Sequence, residues 1–244
     1  MSTLQRRLIA LSGLIISLYC LWLLSEPART TSPALIVSRE QEQIRLALQA
    51  KGWTDERPID IIRATIAATP NGQPADVLGI TVGKNRGFLA LFDQKSGQLL
   101  AVSKDLATIK QIEGIALPDL PQQAILVRDY YDNQLGGFEQ TTWARIFRLN
   151  DQHLLEQIFA HVQQSDYYWH EAWDNPDAKN WRRVTEESQI TFPTPGEIVV
   201  TQKTTRYVAE GDPKTMPTAY QTESQETKNH RFLWQAETLR FQAF

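Results

Sequence analysis

Apolar residues are distributed in three different ways along this chain, and each pattern predicts a different kind of element. Leu8 to Leu24 is an uninterrupted uncharged run, preceded by Arg6-Arg7 and followed by Ser25-Glu26-Pro27. Between Ser38 and Gly52 the apolar positions Ile44, Leu46, Ala47 and Leu48 make one broad face, with Glu42 in the first turns and glycine at the end. That spacing predicts an amphipathic helix capped by Ser38 and stopped by Gly52. From Pro58 onward the apolar runs are short and separated by turn residues, which predicts strands.

The strand-type runs group into units. Asp76–Val82, Phe88–Phe92 and Gln98–Val102 are separated by Gly83-Lys84-Asn85-Arg86-Gly87 and by Asp93-Gln94-Lys95-Ser96-Gly97, the grammar of a β-meander. A second unit is expected from Ala124–Tyr131, Thr142–Leu149 and His153–Phe159, turning through Gly136-Gly137. A third is expected from Gly196–Thr201 to His230–Trp234 and Thr238–Phe241, across a surface loop from Ala209 to Gln225 that carries Gly211, Pro213 and Pro217. The copies are unevenly spaced, unlike a regular repeat array. The fold class expected is mainly β (α+β): antiparallel meanders with one N-terminal helix, preceded by a single transmembrane helix.

The stretch Thr69–Ile80 followed by Gly87–Asp93 resembles FG-GAP-type repeats, in which a glycine-bearing turn precedes a strand and a second strand ends in an aromatic and a turn. The resemblance implies β-propeller blades in extracytoplasmic proteins that bind partners. That family's closely spaced aspartates hold calcium in the turn. Here Asn71 and Asp76 alone stand near the matching place, so no calcium is expected.

The first run sets topology. Leu8–Leu24 sits at the short end of the roughly 17–25 residues that cross a bilayer as a helix, and beyond the ~7–15 of a cleavable signal core. Glu26 and Leu23 occupy the places where a cleavage site wants a small residue, which favours a retained signal anchor. The basic flank keeps residues 1–7 cytoplasmic and sends residues after Pro27 across the membrane. The organisation expected is a cytoplasmic segment 1–7, an anchor 8–24, a linker 25–37 and an extracytoplasmic β-rich domain 38–244 in the inner membrane of a bacterial envelope; a cleaved, exported form keeps the same orientation. The only cysteine, Cys20, follows Tyr19 inside the run, where a lipid-modified cysteine would need a small residue before it.

Composition narrows the function. The exported part has no cysteine and must fold on its core without disulfides. Setting aside Arg6, Arg7, Arg29 and Glu26 leaves it at about −5 from 25 basic and 28 acidic residues, which argues against nucleic acid as a partner. No nucleophile elbow, phosphate-binding glycine loop or spaced metal-ligand set is present, and no cofactor is expected. His170-Glu171-Ala172-Trp173-Asp174 lacks the second histidine of a zinc motif, and Pro176 cuts short the helix such a motif needs. Asp129–Glu139 has oxygen donors for a hard cation but not their regular alternation, and reads as a polar turn.

The densest patch of unusual residues runs from Asp166 to Arg183. Its candidate ligand-binding residues are Tyr168, Trp169, Glu171, Trp173, Asp174 and Trp181. Aromatic faces stack on sugar rings, carboxylates accept hydroxyl hydrogen bonds, and a carboxylate pair could serve glycoside hydrolysis. The same tryptophans could instead seal the core. The reading that follows is a membrane-tethered, non-catalytic module that binds an envelope protein or polysaccharide, with a glycan-acting enzyme as the alternative. Clustering of Asp166, Glu171 and Asp174 in one concavity would favour the enzyme. Trp143, in an alternating run with Arg145, Phe147 and Leu149, is expected in the core.

Overall fold

The structure, a computed structural model, describes residues 33–133 and 138–244. The expected cytoplasmic segment, the anchor with Cys20, linker residues 25–32 and the Gly136-Gly137 turn lie outside the described residues. Among the described residues no helix is long and apolar enough to cross a membrane. The chain divides into two units, Met1–Glu42 and Gln43–Phe244, and every strand belongs to the second.

Helix α1 spans Pro33–Lys51, so residues 33–37 are helical rather than linker, and Ser38 lies inside the helix rather than at its cap. Proline supplies the reason: its fixed φ and missing N–H suit a first helical turn. The C-terminal stop follows the sequence. Gly52 takes φ 75°, its N–H donates to the Gln49 carbonyl at 3.0 Å, and the Trp53 N–H reaches back to Leu48 at 2.8 Å. This paired closure satisfies the last carbonyls of the helix.

Twelve strands follow among the described residues, all antiparallel. The first sheet has the order β1 (Asp60–Ile66), β2 (Ala75–Gly83), β3 (Arg86–Asp93), β4 (Leu99–Val102). The second runs β5 (Thr108–Ala116), β6 (Gln123–Asn133), β7 (Phe138–Leu149), β8 (Leu155–His170), β9 (Asn180–Thr191), β10 (Glu197–Glu210), β11 (Gln221–Gln235), β12 (Arg240–Ala243), each strand beside its sequence neighbour. An isolated bridge from Gly87 to Leu106 ties β3 to the segment that enters β5.

Within the second unit, β2 and β3 are covered on both faces. Leu78, Ile80, Phe88 and Phe92 pack against Ala47 and Leu48 of α1, while Val77, Leu89 and Leu91 pack against Ile109, Ile125, Val127 and Phe147 of the second sheet. A strand buried on both sides reads as a continuous apolar run, as Val77–Val82 and Phe88–Phe92 do. The opposite face of β6 and β7 presents Ala124, Leu126, Ala144 and Ile146 to Phe159, Ile198 and Val200. The sheet therefore curls, and Phe159 of β8 meets Phe232 of β11 and Phe241 of β12 with ring centroids 5.1 and 6.1 Å apart.

Beyond that curl the far halves of β8 to β11 run on as a polar ribbon. The third expected unit is accordingly a long hairpin: β10 reaches Glu210, β11 starts at Gln221, and the loop expected from Ala209 to Gln225 shrinks to residues 211–220. Trp143 also departs from expectation. Its strand-mates Phe147 and Leu149 reach the core, but Trp143 is only half-buried, with the Arg145 guanidinium 4.7 Å from its ring.

Candidate functional site

The aromatic patch is built on the hairpin β8–β9. His170 pairs with Trp181, Trp169 with Arg182, Tyr168 with Arg183, Tyr167 with Val184 and Asp166 with Thr185. Residues paired across an antiparallel ladder share a face, and successive residues alternate between faces. Asp166, Tyr168 and His170 therefore lie on one side with Arg183 and Trp181, and Tyr167 and Trp169 on the other with Val184 and Arg182. A cluster that is continuous in sequence is divided in space.

The first side is a closed hub. His170 is fully buried, accepts at Nδ1 from the Ala172 N–H at 3.0 Å and lies 3.0 Å through Nε2 from the Gly211 carbonyl. Those two partners define the neutral tautomer with the proton on Nε2. Trp181, 2 % exposed, donates its indole N–H to the Asp212 carbonyl at 3.1 Å and meets His170 edge to face at 5.2 Å. The loop after β10 is thus pinned onto the β8–β9 hairpin by two rings. Trp181 is a packing residue, not a ligand platform.

Farther along this side, Asp166 receives both the Nε and an Nη of Arg183, at 2.8 and 2.7 Å. Tyr207 and Tyr220 flank the same guanidinium at 5.6 and 5.9 Å. Tyr168 stacks on Phe138 at 4.7 Å, and burial, reinforced by Asp166, holds its hydroxyl pKa above the ordinary value. These groups neutralise and cover one another.

The second side is open. Tyr167 and Trp169 stack at 5.0 Å with planes 26° apart, Tyr167 being exposed and Trp169 half-buried. A single 3-10 turn, Glu171–Trp173, follows β8 with His170 as its cap. It leaves Trp173 45 % exposed, its ring edge-on to Trp181 at 5.6 Å. Glu171 takes the Arg182 Nε at 2.6 Å, and that bond holds its carboxyl below the usual carboxylate range. Arg182 also reaches Glu223 at 2.7 Å. Asp174 is exposed and closes the turn through its backbone N–H to the Glu171 carbonyl.

The structure therefore sets Glu171 on Arg182, the cross-strand partner of Trp169, leaves Trp173 partly exposed against Trp181, places Tyr168 on the other face and buries Trp181. The carboxylates do not share a concavity. Asp166 and Glu171 are held by different arginines on opposite sides of the sheet. The paired carboxylates of a glycosidase flank one bond and include an acid with a raised pKa. Glu171 is shifted the other way.

Two features were missed by sequence reasoning. Asp129, expected at the end of the strand Ala124–Tyr131 where a polar turn begins, is fully buried in β6, where it accepts from the Arg145 Nε at 2.8 Å and the Ala107 N–H at 3.1 Å. The signal was an acid inside the apolar run Ile125–Tyr131 opposite a strand that carries an arginine. A recess of about 700 Å³ on the Arg145 side is lined by Lys51, Asp105, Arg145, Phe147, Glu156 and Arg240 among others, a wall of apolar groups and charges of both signs assembled from distant segments. Among the described residues no group of three or more His, Cys, Asp or Glu is arranged to hold a metal ion.

No family model, curated protein or solved structure matches this chain. The resemblance to FG-GAP-type repeats rests on the residues themselves, which form the turn before β2 together with β2 and β3.

Proposed function

We propose that this chain is a non-catalytic binding module of the bacterial cell envelope, tethered by Leu8–Leu24 with its β-rich part outside the cytoplasm, and that it contacts a polysaccharide or an envelope protein through the open side of the β8–β9 hairpin. The observation that carries the reading is the stack of exposed Tyr167 on half-buried Trp169, on the face of the hairpin away from the hub, with exposed Trp173 on the turn that follows and the Glu171 carboxylate held ionised by Arg182. Rings of this kind stack on flat apolar faces of a partner at low entropic cost, while ion-paired carboxylates accept hydrogen bonds without exchanging protons. The anchor reading rests on the basic flank and the apolar run.

Co-sedimentation of the purified protein with isolated envelope polysaccharide tests the contact. Wild type is expected to sediment, and Trp169→Ala and Trp173→Ala to weaken sedimentation by about tenfold or more. Retention in membranes after carbonate washing, with the β-rich part digested by protease added outside the inner membrane, tests the tether. Hydrolysis of the polysaccharide would replace this reading with the enzymatic one; equal sedimentation of the variants and wild type would remove the aromatic surface from it.

A further inference from the structure

The recess of about 700 Å³ on the Arg145 side has the size of a small-molecule site. Four segments of the second unit meet there: the last residue of α1, Lys51; residues 102–106, which lead from β4 into β5; the β7–β8 hairpin, through residues 145, 147 and 154–157; and the first residue of β12, Arg240. Its apolar floor is Val102, Leu106, Phe147, Leu154 and Leu155. Leu106 and Phe147 are buried, whereas Leu154 is 56 % exposed. A closed turn keeps it there. The Asn150 Oδ1 accepts from the Gln152 and Leu154 N–H groups at 2.9 Å each, the Asn150 N–H donates to the Leu154 carbonyl at 3.0 Å, and His153 takes φ 58°. The backbone of Leu154 is thus fixed beside the recess, with its side chain open to whatever enters.

Charge in the wall is unevenly spoken for. Asp105 is taken by the Lys51 ammonium at 2.5 Å, and Glu156 by the Arg148 guanidinium at 2.8 Å and the Asn150 amide at 2.9 Å. Arg145 is committed to buried Asp129 at 2.8 Å and to Gln157 at 3.2 Å. Every carboxylate at the recess therefore already has its own cation. Lys104 and Arg240 are left over: both line the recess, both are exposed, and neither has an ion-pair partner among the described residues. This local cationic surplus stands beside a carbon floor in a chain whose acids outnumber its bases.

The complement of such a wall is a molecule with one apolar arm and one anionic end. A hydrocarbon chain asks only for contact with the floor, whereas a peptide would bring N–H and C=O groups that leucine, valine and phenylalanine side chains cannot pair. We propose that the recess binds an aliphatic carboxylate of the fatty-acid class, with its chain on Leu106, Phe147, Leu154 and Leu155 and its head group on Lys104 and Arg240. Hydrogen bonds from lysine or arginine to a carboxylate are of the strong, charge-assisted kind. The recess shares no residue with Tyr167, Trp169 or Trp173, so this site stands or falls separately from the proposed aromatic surface.

Photolabelling of the full-length protein in phosphatidylcholine nanodiscs tests it, with a hexadecanoate that carries a diazirine in its chain, at a pH where the carboxylate is ionised. Peptide mass mapping is expected to place label on residues 102–106 and 147–157, and excess plain hexadecanoate should displace it. The matching alcohol, with the same chain and no charge, should label these residues about tenfold less. Lys104→Glu combined with Arg240→Glu should lower labelling by the carboxylate about tenfold and leave the weak labelling by the alcohol unchanged, which separates a lost charge from a lost fold. Leu154→Ser should weaken labelling by both probes. All three positions are exposed, and circular dichroism of the variants should match wild type. Equal labelling by acid and alcohol, a double variant that labels like wild type, or label that hexadecanoate does not displace would overturn the proposal.

Discussion

Arg145 places its guanidinium Nε 2.8 Å from the carboxylate of Asp129, which is fully buried in the middle of β6. The partner strand β7 brings the arginine there, and its outer side remains 22 % exposed. The charge of Asp129 is thus compensated from one direction by Arg145 and from another by the Ala107 backbone N–H.

Removing the arginine strands the acid. Arg145→Met is expected to cost about 3 kcal/mol, the low end for breaking a buried ion pair because water reaches the arginine side. Asp129→Asn should cost less, since an amide keeps an acceptor for Ala107 and leaves Arg145 free to turn outward. Urea midpoints of the two variants check this order. If Asp129→Asn is the more damaging, the carboxylate has a role beyond the pair.

Gly87 makes a second prediction, about the join between the sheets. A Cβ there would lie 2.6 Å from the Ala107 carbonyl oxygen and 3.0 Å from that of Ile80, both backbone atoms that cannot turn aside. Gly87→Ala should destabilise by about 2 kcal/mol, as overpacking does when no side chain can yield. Gly83→Ala meets nothing within 4 Å and is the matched control, with a midpoint close to wild type. Equal midpoints for the two would mean that the Gly87–Leu106 bridge gives way cheaply.

The contrast between the two sheets explains how much could be read from the sequence. β2 and β3 were legible because burial on both faces writes uninterrupted apolar runs, and α1 because its glycine stop has a fixed geometry. β9 and the outer parts of β10 and β11 were not, because Thr, Glu, Gln and Lys follow one another on both faces and no apolar period marks the strand; backbone ladders and cross-strand pairs hold them instead. The candidate site failed differently. Tyr168 and Trp169 are neighbours in sequence but lie on opposite faces, so a dense patch on paper becomes a buried hub and a separate open surface. Pairings such as Arg183 with Asp166 depend on hairpin register, and Asp174-Asn175-Pro176 signals a turn without fixing which residues pair across it.

The division of the tryptophans predicts distinct stability effects. Trp181→Ala should cost about 3–5 kcal/mol, the range for removing a fully buried aromatic, and should loosen the loop after β10 by deleting the bond to Asp212. Trp173→Ala should cost about 1 kcal/mol, the worth of an edge-to-face contact made by a ring that stays 45 % exposed. Trp143→Ala, at a half-buried position, should fall between them. Thermal or urea midpoints rank the three. A Trp173→Ala variant as unstable as Trp181→Ala would show that the ring belongs to the hub and not to the open surface.

His161 supplies the pH dependence. It sits in the curl with its ring centroid 6.2 Å from that of His230 and 6.3 Å from that of Phe232, and its Nε2 has no hydrogen-bond partner. Burial first, and the charge of His230 second, hold its pKa below the ordinary 6.5. The folded state therefore resists a proton that the unfolded chain accepts. Stability from this group is complete above pH ~6.5 and is lost as the pH falls through the lowered folded value. The midpoint of urea unfolding should accordingly drop between about pH 7.5 and about pH 5, and His161→Leu should flatten that drop while costing little at pH 7.5, because it removes an unpaired polar atom from an aromatic setting. If His161→Leu keeps the full acid sensitivity of wild type, the proton is taken up elsewhere, and the pair His161–His230 is not the group that makes the curl sensitive to acid.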